Sequence, residues 1–234
     1  MGKLWLIRHA QTFYNKAQYQ WEEEGKSMDN APLRWDPDLC DAELSEVGIQ
    51  QCLSARDLVH TLDVHKVFVS PLKRALQTCE ILFKDHPNLP QKIVHPILHE
   101  IINNGHDISS YRGAPFPEYS HYDWSLVPNE VLAPYILKNR YTEQLVGLSY
   151  DDAKSRLLEI MREINPHQVE SCDELYDRAQ RSKEIWRKEL EEGNVALVSH
   201  STFFNYFPAE RLESGEYRGC KWLQNCEVYE YNLN

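Results

Sequence analysis

Three short apolar runs in this 234-residue chain each end abruptly in polar side chains. The runs and the residues that follow them are 4–7 with Arg8 and His9, 66–69 with Ser70, and 195–198 with Ser199 and His200. Apolar, β-branched runs of this length are typical of buried strands, and each is followed by sequence compatible with a helix. This alternation predicts an α/β fold whose parallel strands end along one edge of a sheet. We therefore expect polar groups that are distant in the sequence to converge there.

Apolar periodicity predicts amphipathic helices between and after these strands. They are expected at 45–60, 71–83, 150–164 and 172–192. Strands are predicted at 4–8, 66–70, 91–94 and 195–199, and residues 226–233 are expected to add an antiparallel strand at the end. On the first helix we expect Ile49, Cys52, Leu53 and Leu58 to form the buried face. The predicted fold class is α/β, a three-layer αβα sandwich with a mostly parallel central sheet.

A single domain covering residues 1–234 is expected, because predicted strands of one sheet lie near both ends of the chain. A chain of this length, with 42% hydrophobic residues, can bury one sizeable core. Residues 16–43 and 103–149 are less regular and rich in proline, aromatic and charged side chains. Long irregular insertions in a compact domain commonly face a substrate, so we expect both to form a lid over the site.

Motifs at the strand ends occur in an order that matches a known family. They are Arg-His-Ala-Gln-Thr at 8–12 with Asn15, Leu-Ser-Glu-Val-Gly-Ile-Gln-Gln at 44–51, Ser-Pro-Leu-Lys-Arg-Ala-Leu-Gln-Thr at 70–78, and Ser-His-Ser at 199–201. Together they resemble the histidine phosphatase superfamily, which includes the cofactor-dependent phosphoglycerate mutases. The resemblance implies a phosphoglycerate mutase-like fold. Further matches between Leu98 and Ser125 and at 225–227 are similar to a phosphoglycerate mutase-like branch found in eukaryotes such as plants and yeasts.

The residue types at the strand ends suit phosphoryl transfer, which needs a nucleophile, cations around the phosphoryl oxygens and a proton for the leaving group. His9 is the expected nucleophile, attacking through a neutral ring nitrogen while a backbone carbonyl holds the other nitrogen as a donor. Arg8 and Arg74 carry planar guanidinium groups that match phosphoryl oxygens. His200 is expected across the phosphoryl group, as a hydrogen-bond donor and, when protonated, a source of positive charge.

Smaller polar residues beside these groups are expected to contact the phosphoryl oxygens. Asn15 and Thr12 can add neutral donors, although Thr12 can equally cap the first helix. Ser201 opens a short helix whose free backbone N–H groups favour an anion. We therefore include all three among the expected substrate-binding residues.

The resemblance places the general acid at Glu100. A carboxyl group in that role needs a pKa raised toward neutrality, and the apolar neighbours of Glu100 favour the partial burial that raises it. His99 and His106 are alternative proton donors. No metal or other cofactor is expected, because the histidines lack the spacing of metal ligands and a histidine nucleophile requires none.

Composition restricts the possible partners. The chain has 36 acidic and 25 basic residues and a formal charge of -11, which argues against binding to nucleic acid or to an anionic membrane surface. Its first apolar run, about four residues long, is shorter than a signal-peptide core of roughly 7–15 residues. The six scattered cysteines are expected to be reduced. We expect a cytoplasmic protein with a small phosphorylated substrate, and the sequence leaves the oligomeric state open.

These observations favour hydrolysis of a small phosphomonoester through a phosphohistidine intermediate. Two alternatives stay open: phosphoryl transfer of the phosphoglycerate mutase type, and a non-catalytic protein that binds a phosphorylated ligand. The mutases that the chain resembles place an Arg-Arg pair after the proton donor. Between Glu100 and Asn139 this chain has no such pair, and Arg112, Lys138 and Arg140 are isolated. Binding alone does not need a nucleophilic histidine, which argues against the third possibility.

Overall fold

A five-stranded sheet forms the centre of the molecule in the computed structural model, which describes residues 2–29, 31–128, 142–145, 147–163 and 170–233. The strands are β1 (Leu4–Arg8), β2 (Lys66–Val69), β3 (Gln91–Val94), β4 (Val195–Ser199) and β7 (Val228–Tyr231), and β5 (Glu210–Arg211) pairs with β6 (Tyr217–Arg218) separately. The sheet order is β3-β2-β4-β1-β7, in which the first four strands are parallel and β7 is antiparallel to β1. Arg8 pairs with Ser199, so His9 and His200 leave adjacent strands at one edge.

Helices follow and precede the strands as the periodicity predicts. They are α1 (Phe13–Glu23), α2 (Glu46–His60), α3 (Lys73–Leu82), α4 (Thr142–Leu145), α5 (Tyr150–Glu163), α6 (Cys172–Glu192) and α7 (Ser201–Tyr206). Short 3-10 turns include Pro32–Trp35 and Gly105–Asp107. The α/β sandwich with a mostly parallel sheet is confirmed. Residue 164, the last of the predicted third helix, lies outside the described residues.

The sheet is covered on both faces, because successive side chains of a strand point in opposite directions. Trp5 and Ile7 of β1 pack into one core with α2 and α3, whereas Leu4 and Leu6 pack into a second core with α6 and α7. Each core forms a separate layer between the sheet and one pair of helices. The four parallel strands therefore contribute to both cores and position their polar ends between them.

The buried face of α2 differs from the prediction. Cys52 is buried as expected, but Ile49, Leu53 and Leu58 are 40%, 41% and 55% exposed. The helix instead packs through Gly48, Cys52 and Val59. A Cβ added at Gly48 would lie 2.0 Å from the carbonyl oxygen of Gln11, so this glycine lets the helix approach the loop after β1 directly. Counting apolar residues missed this contact, since glycine contributes no hydrophobic side chain.

The two irregular insertions divide between the site and the cores. Residues 111–127 pack mainly into the α2 and α3 core, where Tyr111 and Trp124 stack at 5.5 Å. A third apolar cluster joins Ile102 and Ile108 to α5. Residues 129–141, the centre of the predicted 103–149 lid, lie outside the described residues. In the described part of that insertion, it is the segment near Gly105–Asp107 that lies beside the strand ends.

None of the helices in the described part of the chain combines the length and apolarity that crossing a membrane requires.

The close contact at Gly48 predicts the effect of a single methyl group. Alanine normally stabilises a helix interior by roughly 0.8–1 kcal/mol relative to glycine. Here we expect Gly48→Ala to lower the free energy of unfolding by at least about 1 kcal/mol, because the Cβ meets a backbone oxygen that cannot move freely. Chemical denaturation measures the change. Ser54→Ala, at an exposed position of the same helix, is the control, and an increase in stability for Gly48→Ala would contradict the packing described.

Candidate active site

The backbone around His9 is held by hydrogen bonds from separate segments. His9 N–H donates to Ser199 O at 2.9 Å, and Ala10 N–H donates to Thr78 Oγ1 at 3.0 Å. The Nδ1–H group of the His9 ring donates to Ala10 O at 2.7 Å. This bond fixes the tautomer, so that Nε2 carries the lone pair. The sequence prediction that a nearby carbonyl holds the second ring nitrogen agrees with this geometry.

The segment 44–51 braces the same loop. Ser45 caps α2 by accepting from Gly48 N–H, and its own N–H donates to Gln11 O at 2.9 Å. Gln51 Oε1 accepts from Gln11 N–H at 2.9 Å. The serine, glycine and glutamine spacing of this motif thus has a physical cause, which is to attach the start of α2 to the loop after His9.

His9 is buried beside two positive charges. Burial, reinforced by the charges of Arg74 and Arg8, lowers the pKa of His9 well below its ordinary value of 6.5. The Ala10 carbonyl opposes this change only in part. The imidazole is therefore neutral near neutral pH, which is the form that can attack phosphorus.

Arg74 is held by three protein acceptors. Its Nε donates to His200 Nδ1 at 3.2 Å, Nη1 to His106 O at 2.7 Å, and Nη2 to Asp107 Oδ1 at 3.0 Å. The guanidinium group is 1% exposed. It thus faces His9 as a fixed charge whose N–H groups are already engaged by the protein.

Both ring nitrogens of His200 also form hydrogen bonds. Because Nδ1 accepts from Arg74, the Nε2–H group donates to Ser70 Oγ at 2.7 Å. The His9 and His200 rings lie 5.1 Å apart. Burial and the charge of Arg74 lower the pKa of His200 well below its ordinary value. The ring is therefore neutral near neutral pH in this structure, where it accepts from Arg74 and donates to Ser70.

The pair His106 and Asp107 forms the next layer around Arg74. His106 Nε2 lies 3.1 Å from Asp107 Oδ1, and the ring stacks on Tyr14 with centroids 3.7 Å apart. Burial raises the pKa of Asp107 to about 7, although Arg74 opposes this shift. Asp107 Oδ2 also accepts from Asn104 N–H at 3.2 Å. These contacts fix the position of Arg74 from the side of the insertion.

Glu100 occupies the amino end of α7. Its carboxylate accepts from the N–H groups of Thr202 and Phe203, each at 3.2 Å, and of Ile101 at 2.9 Å. The anion that we expected at this helix start is therefore Glu100 itself. Arg178 donates to the carbonyl of His99 at 2.7 Å and pairs with Glu170, which fixes the turn that carries Glu100.

Thr12 and Asn15 hydrogen-bond each other. Thr12 Oγ1 accepts from Asn15 N–H at 3.0 Å, and Asn15 Oδ1 accepts from Thr12 N–H at 3.2 Å. This is a capping box at the start of α1. Thr12 thus caps the helix, whereas the side-chain amide nitrogen of Asn15 has no acceptor among the described residues.

A cavity of about 480 Å³ opens at this edge of the sheet. Of the expected site residues, its walls include Arg8, His9, Asn15, Glu100 and Ser201, while Thr12, Arg74 and His200 lie behind them. Of the two alternative proton donors, His106 lines the cavity and His99 does not. The walls also contain side chains that the sequence analysis did not assign to the site, among them Tyr14, Gln18, Tyr19, Arg34, Asn103, Asn104 and Trp222. Most of these come from the two insertions.

Within the described ranges, no group of three or more His, Cys, Asp or Glu side chains is arranged so that it could bind a metal ion.

Comparisons with known proteins agree with the fold and with the motifs. Residues 4–112 match the family model described as histidine phosphatase superfamily (branch 1), so the resemblance to this superfamily is confirmed over that segment. Fructose-2,6-bisphosphatase TIGAR B of Danio rerio is 31% identical over 99 residues, which are 42% of this chain and 33% of that protein. The match therefore spans about a third of the length of this curated relative.

Two solved structures have the same fold at low sequence identity. A phosphoglycerate mutase from Bacillus anthracis str. Sterne matches with a TM-score of 0.54 and 17% identity, over 99% of this chain and 88% of the other. The ecdysone phosphate phosphatase of Bombix mori, in complex with tungstate, matches with a TM-score of 0.55 and 15% identity, over 98% and 88%. The fold is thus phosphoglycerate mutase-like.

The buried neutral histidines predict how stability depends on pH. A histidine whose pKa is lowered on folding binds fewer protons in the native than in the unfolded state, so its contribution is present above about pH 6.5 and is lost as pH falls. We expect His200→Asn to make the fall in unfolding free energy below pH 6.5 shallower by up to about 1.4 kcal/mol per pH unit.

Denaturant titrations between about pH 7.5 and 5.5 measure this slope. His121→Asn is the matched control, because the His121 side chain is 54% exposed. An unchanged slope for His200→Asn would mean that folding does not lower the pKa of His200.

Proposed function

We propose that this chain, whose segment 4–112 matches the histidine phosphatase superfamily, hydrolyses small phosphomonoesters through a phosphohistidine at His9. The observation that carries the proposal is the bond from His9 Nδ1–H to Ala10 O, because it leaves the neutral Nε2 as the nucleophile on a residue that lines the cavity. A nucleophile with its lone pair fixed in direction is what in-line attack on phosphorus requires. A cytoplasmic location is part of the same proposal.

In the first step the Nε2 lone pair forms a bond to phosphorus while the bond to the leaving oxygen breaks. The charges of Arg8 and Arg74 stabilise the developing charge on the phosphoryl oxygens. The leaving oxygen takes a proton from an acid that lines the cavity, and Glu100 is our candidate. Arg74 contributes its charge from a position fixed by Asp107 and His200.

In the second step water attacks the phosphohistidine. The carboxylate of Glu100, having lost its proton, accepts one from this water, and the bond between phosphorus and Nε2 breaks. Inorganic phosphate leaves, and the His9 ring returns to the neutral tautomer that the Ala10 carbonyl favours. His200, held between Arg74 and Ser70, keeps the arginine in place through both steps.

The main alternative is a mutase, which returns the phosphoryl group to its substrate. The names of the two fold relatives include one mutase and one phosphatase, so the fold alone does not separate the two activities. Mutases of this kind hold their acidic substrate with additional cations. Arg112 lies outside the cavity and pairs with Asp151 on the surface, and Lys138 and Arg140 lie outside the described residues. The name of the curated relative, a bisphosphatase, also favours hydrolysis.

Replacing the nucleophile tests the proposal directly. We expect His9→Ala to lower kcat/KM for p-nitrophenyl phosphate by at least about a thousandfold, because no other group can form the intermediate. His121→Ala, at an exposed position, is the control. After rapid quench, wild type should carry acid-labile, base-stable phosphate on His9. Full activity of His9→Ala, or label on another residue, would contradict the proposal.

The role of Glu100 as the general acid can be tested separately from its contacts with α7. Glu100→Gln should slow phosphorylation most for substrates with poor leaving groups, because these need the proton most. The dependence of rate on the pKa of the leaving group measures this. A loss of the N–H contacts to α7 would slow all substrates equally. Glu23→Gln, an exposed position of α1, is the matched control, and equal slowing would assign the acid to another residue such as His106.

A further inference from the structure

Arg34 is a cation of the cavity wall that the reaction at His9 does not use. It lies in the Pro32–Trp35 turn of the first insertion and lines the same cavity as Arg8 and His9. A cavity of about 480 Å³ is of the size that encloses a whole small molecule, and it is larger than a phosphoryl group needs. The substrate thus extends from His9 toward other walls, which then select it.

Neutral groups hold the guanidinium of Arg34. Nη1 donates to the carbonyl oxygens of Met28 and Asp29, each at 3.3 Å, and Nη2 donates to Asn103 O at 3.0 Å. Its Nε is buried and has no partner within the described residues. No carboxylate of the described chain lies within 4.0 Å of Arg34, in contrast to Arg74, which pairs with Asp107. Among the described residues, Arg34 therefore presents a positive charge that no carboxylate pairs with.

The acidic residues of the cavity wall form no ion pair with Arg34. The carboxylate of Glu100 is engaged by backbone N–H groups, and that of Asp107 by Arg74. The carboxylate of Asp29 accepts from the hydroxyl of Ser27. A fixed guanidinium without a counter-ion, partly buried beside a cavity, is a preformed site for an anion.

The order of groups along the wall separates this site from the nucleophile. Arg34 donates to Asn103 O, whereas Arg74 donates to His106 O and to Asp107 Oδ1 further along the same segment. Residues 103–107 thus contact Arg34 at one end and Arg74, beside the nucleophile, at the other. A ligand whose phosphoryl group reaches His9 would bring its far end toward Arg34.

We propose that Arg34 binds a second anionic group of the substrate, so that the preferred substrates are small phosphomonoesters that also carry a carboxylate or a second phosphate. This inference rests on the proposed phosphatase function.

Paired substrates test the inference. 3-Phosphoglycerate and glycerol 3-phosphate differ only in a carboxylate against a hydroxymethyl group, and fructose 1,6-bisphosphate and fructose 6-phosphate differ in a second phosphate. We expect wild type to favour the doubly anionic member of at least one pair by about tenfold or more in kcat/KM. The pair that shows the preference identifies the second group. Ratios near one in both pairs would overturn the inference, whatever the variants do.

Substitutions of Arg34 test whether this residue causes the preference for the doubly anionic substrate. Arg34→Gln should bring the ratio close to one, and Arg34→Lys should keep part of it, because lysine retains the charge without the planar fork. Arg112→Gln, an exposed arginine outside the cavity, should keep the wild-type ratio. Loss of the carbonyl contacts alone would slow both members of a pair equally and leave the ratio unchanged, which would contradict a binding role for Arg34.

Ligand binding measured by calorimetry tests the same inference without relying on catalysis. The same ligand pairs are titrated into wild type and into His9→Ala, with and without Arg34→Gln, at fixed ionic strength. If wild type turns over no phosphomonoester but binds the doubly anionic ligand more tightly in an Arg34-dependent way, the phosphatase proposal fails and the anion site stands. If turnover depends on His9 while Arg34→Gln leaves every ratio unchanged, the anion site fails and the phosphatase proposal stands.

Discussion

The orientation of His9 depends on backbone hydrogen bonds that converge on the loop from His9 to Gln11. β4, α3 and α2 each contribute a bond to an N–H group of this loop, and the turn before β7 holds the His9 carbonyl through Asn225 at 3.1 Å. A loop fixed at successive peptide groups holds the Cα–Cβ bond of His9 in one direction. The bond between Nδ1–H and Ala10 O then sets which ring nitrogen faces the substrate.

The charges around this loop reinforce one protonation state. Arg8 and Arg74 favour a neutral imidazole at His9, and Arg74 has the same effect on His200 and His106. Neutral rings can accept hydrogen bonds, which is how His200 binds Arg74. The arrangement places a fixed positive charge beside an unprotonated nucleophile, so the site attracts an anion without protonating the group that must attack it.

Local signals in the sequence were sufficient for the sheet and for much of the site. Buried strands read as apolar runs, and the strands at 4–8, 91–94 and 195–199 have the predicted limits. The predicted buried face of α2 was wrong, because the packing of this helix depends on a close approach at Gly48. The link from Arg178 to Glu170 and the bond from His200 to Ser70 join ordinary polar residues far apart in the chain, and no local pattern marks them. Arg34 was missed for the same reason.

The division of the molecule into two cores has a consequence for how damage reaches the chemistry. Ala10, next to the nucleophile, packs with the α2 and α3 layer, whereas Leu98 and Ile101, on either side of Glu100, pack with the α6 and α7 layer. The reacting groups therefore lie where two cores, packed on opposite faces of one sheet, meet. A cavity created in either core would displace His9 relative to Glu100. Such a substitution would therefore lower the turnover rate before it abolished cooperative unfolding.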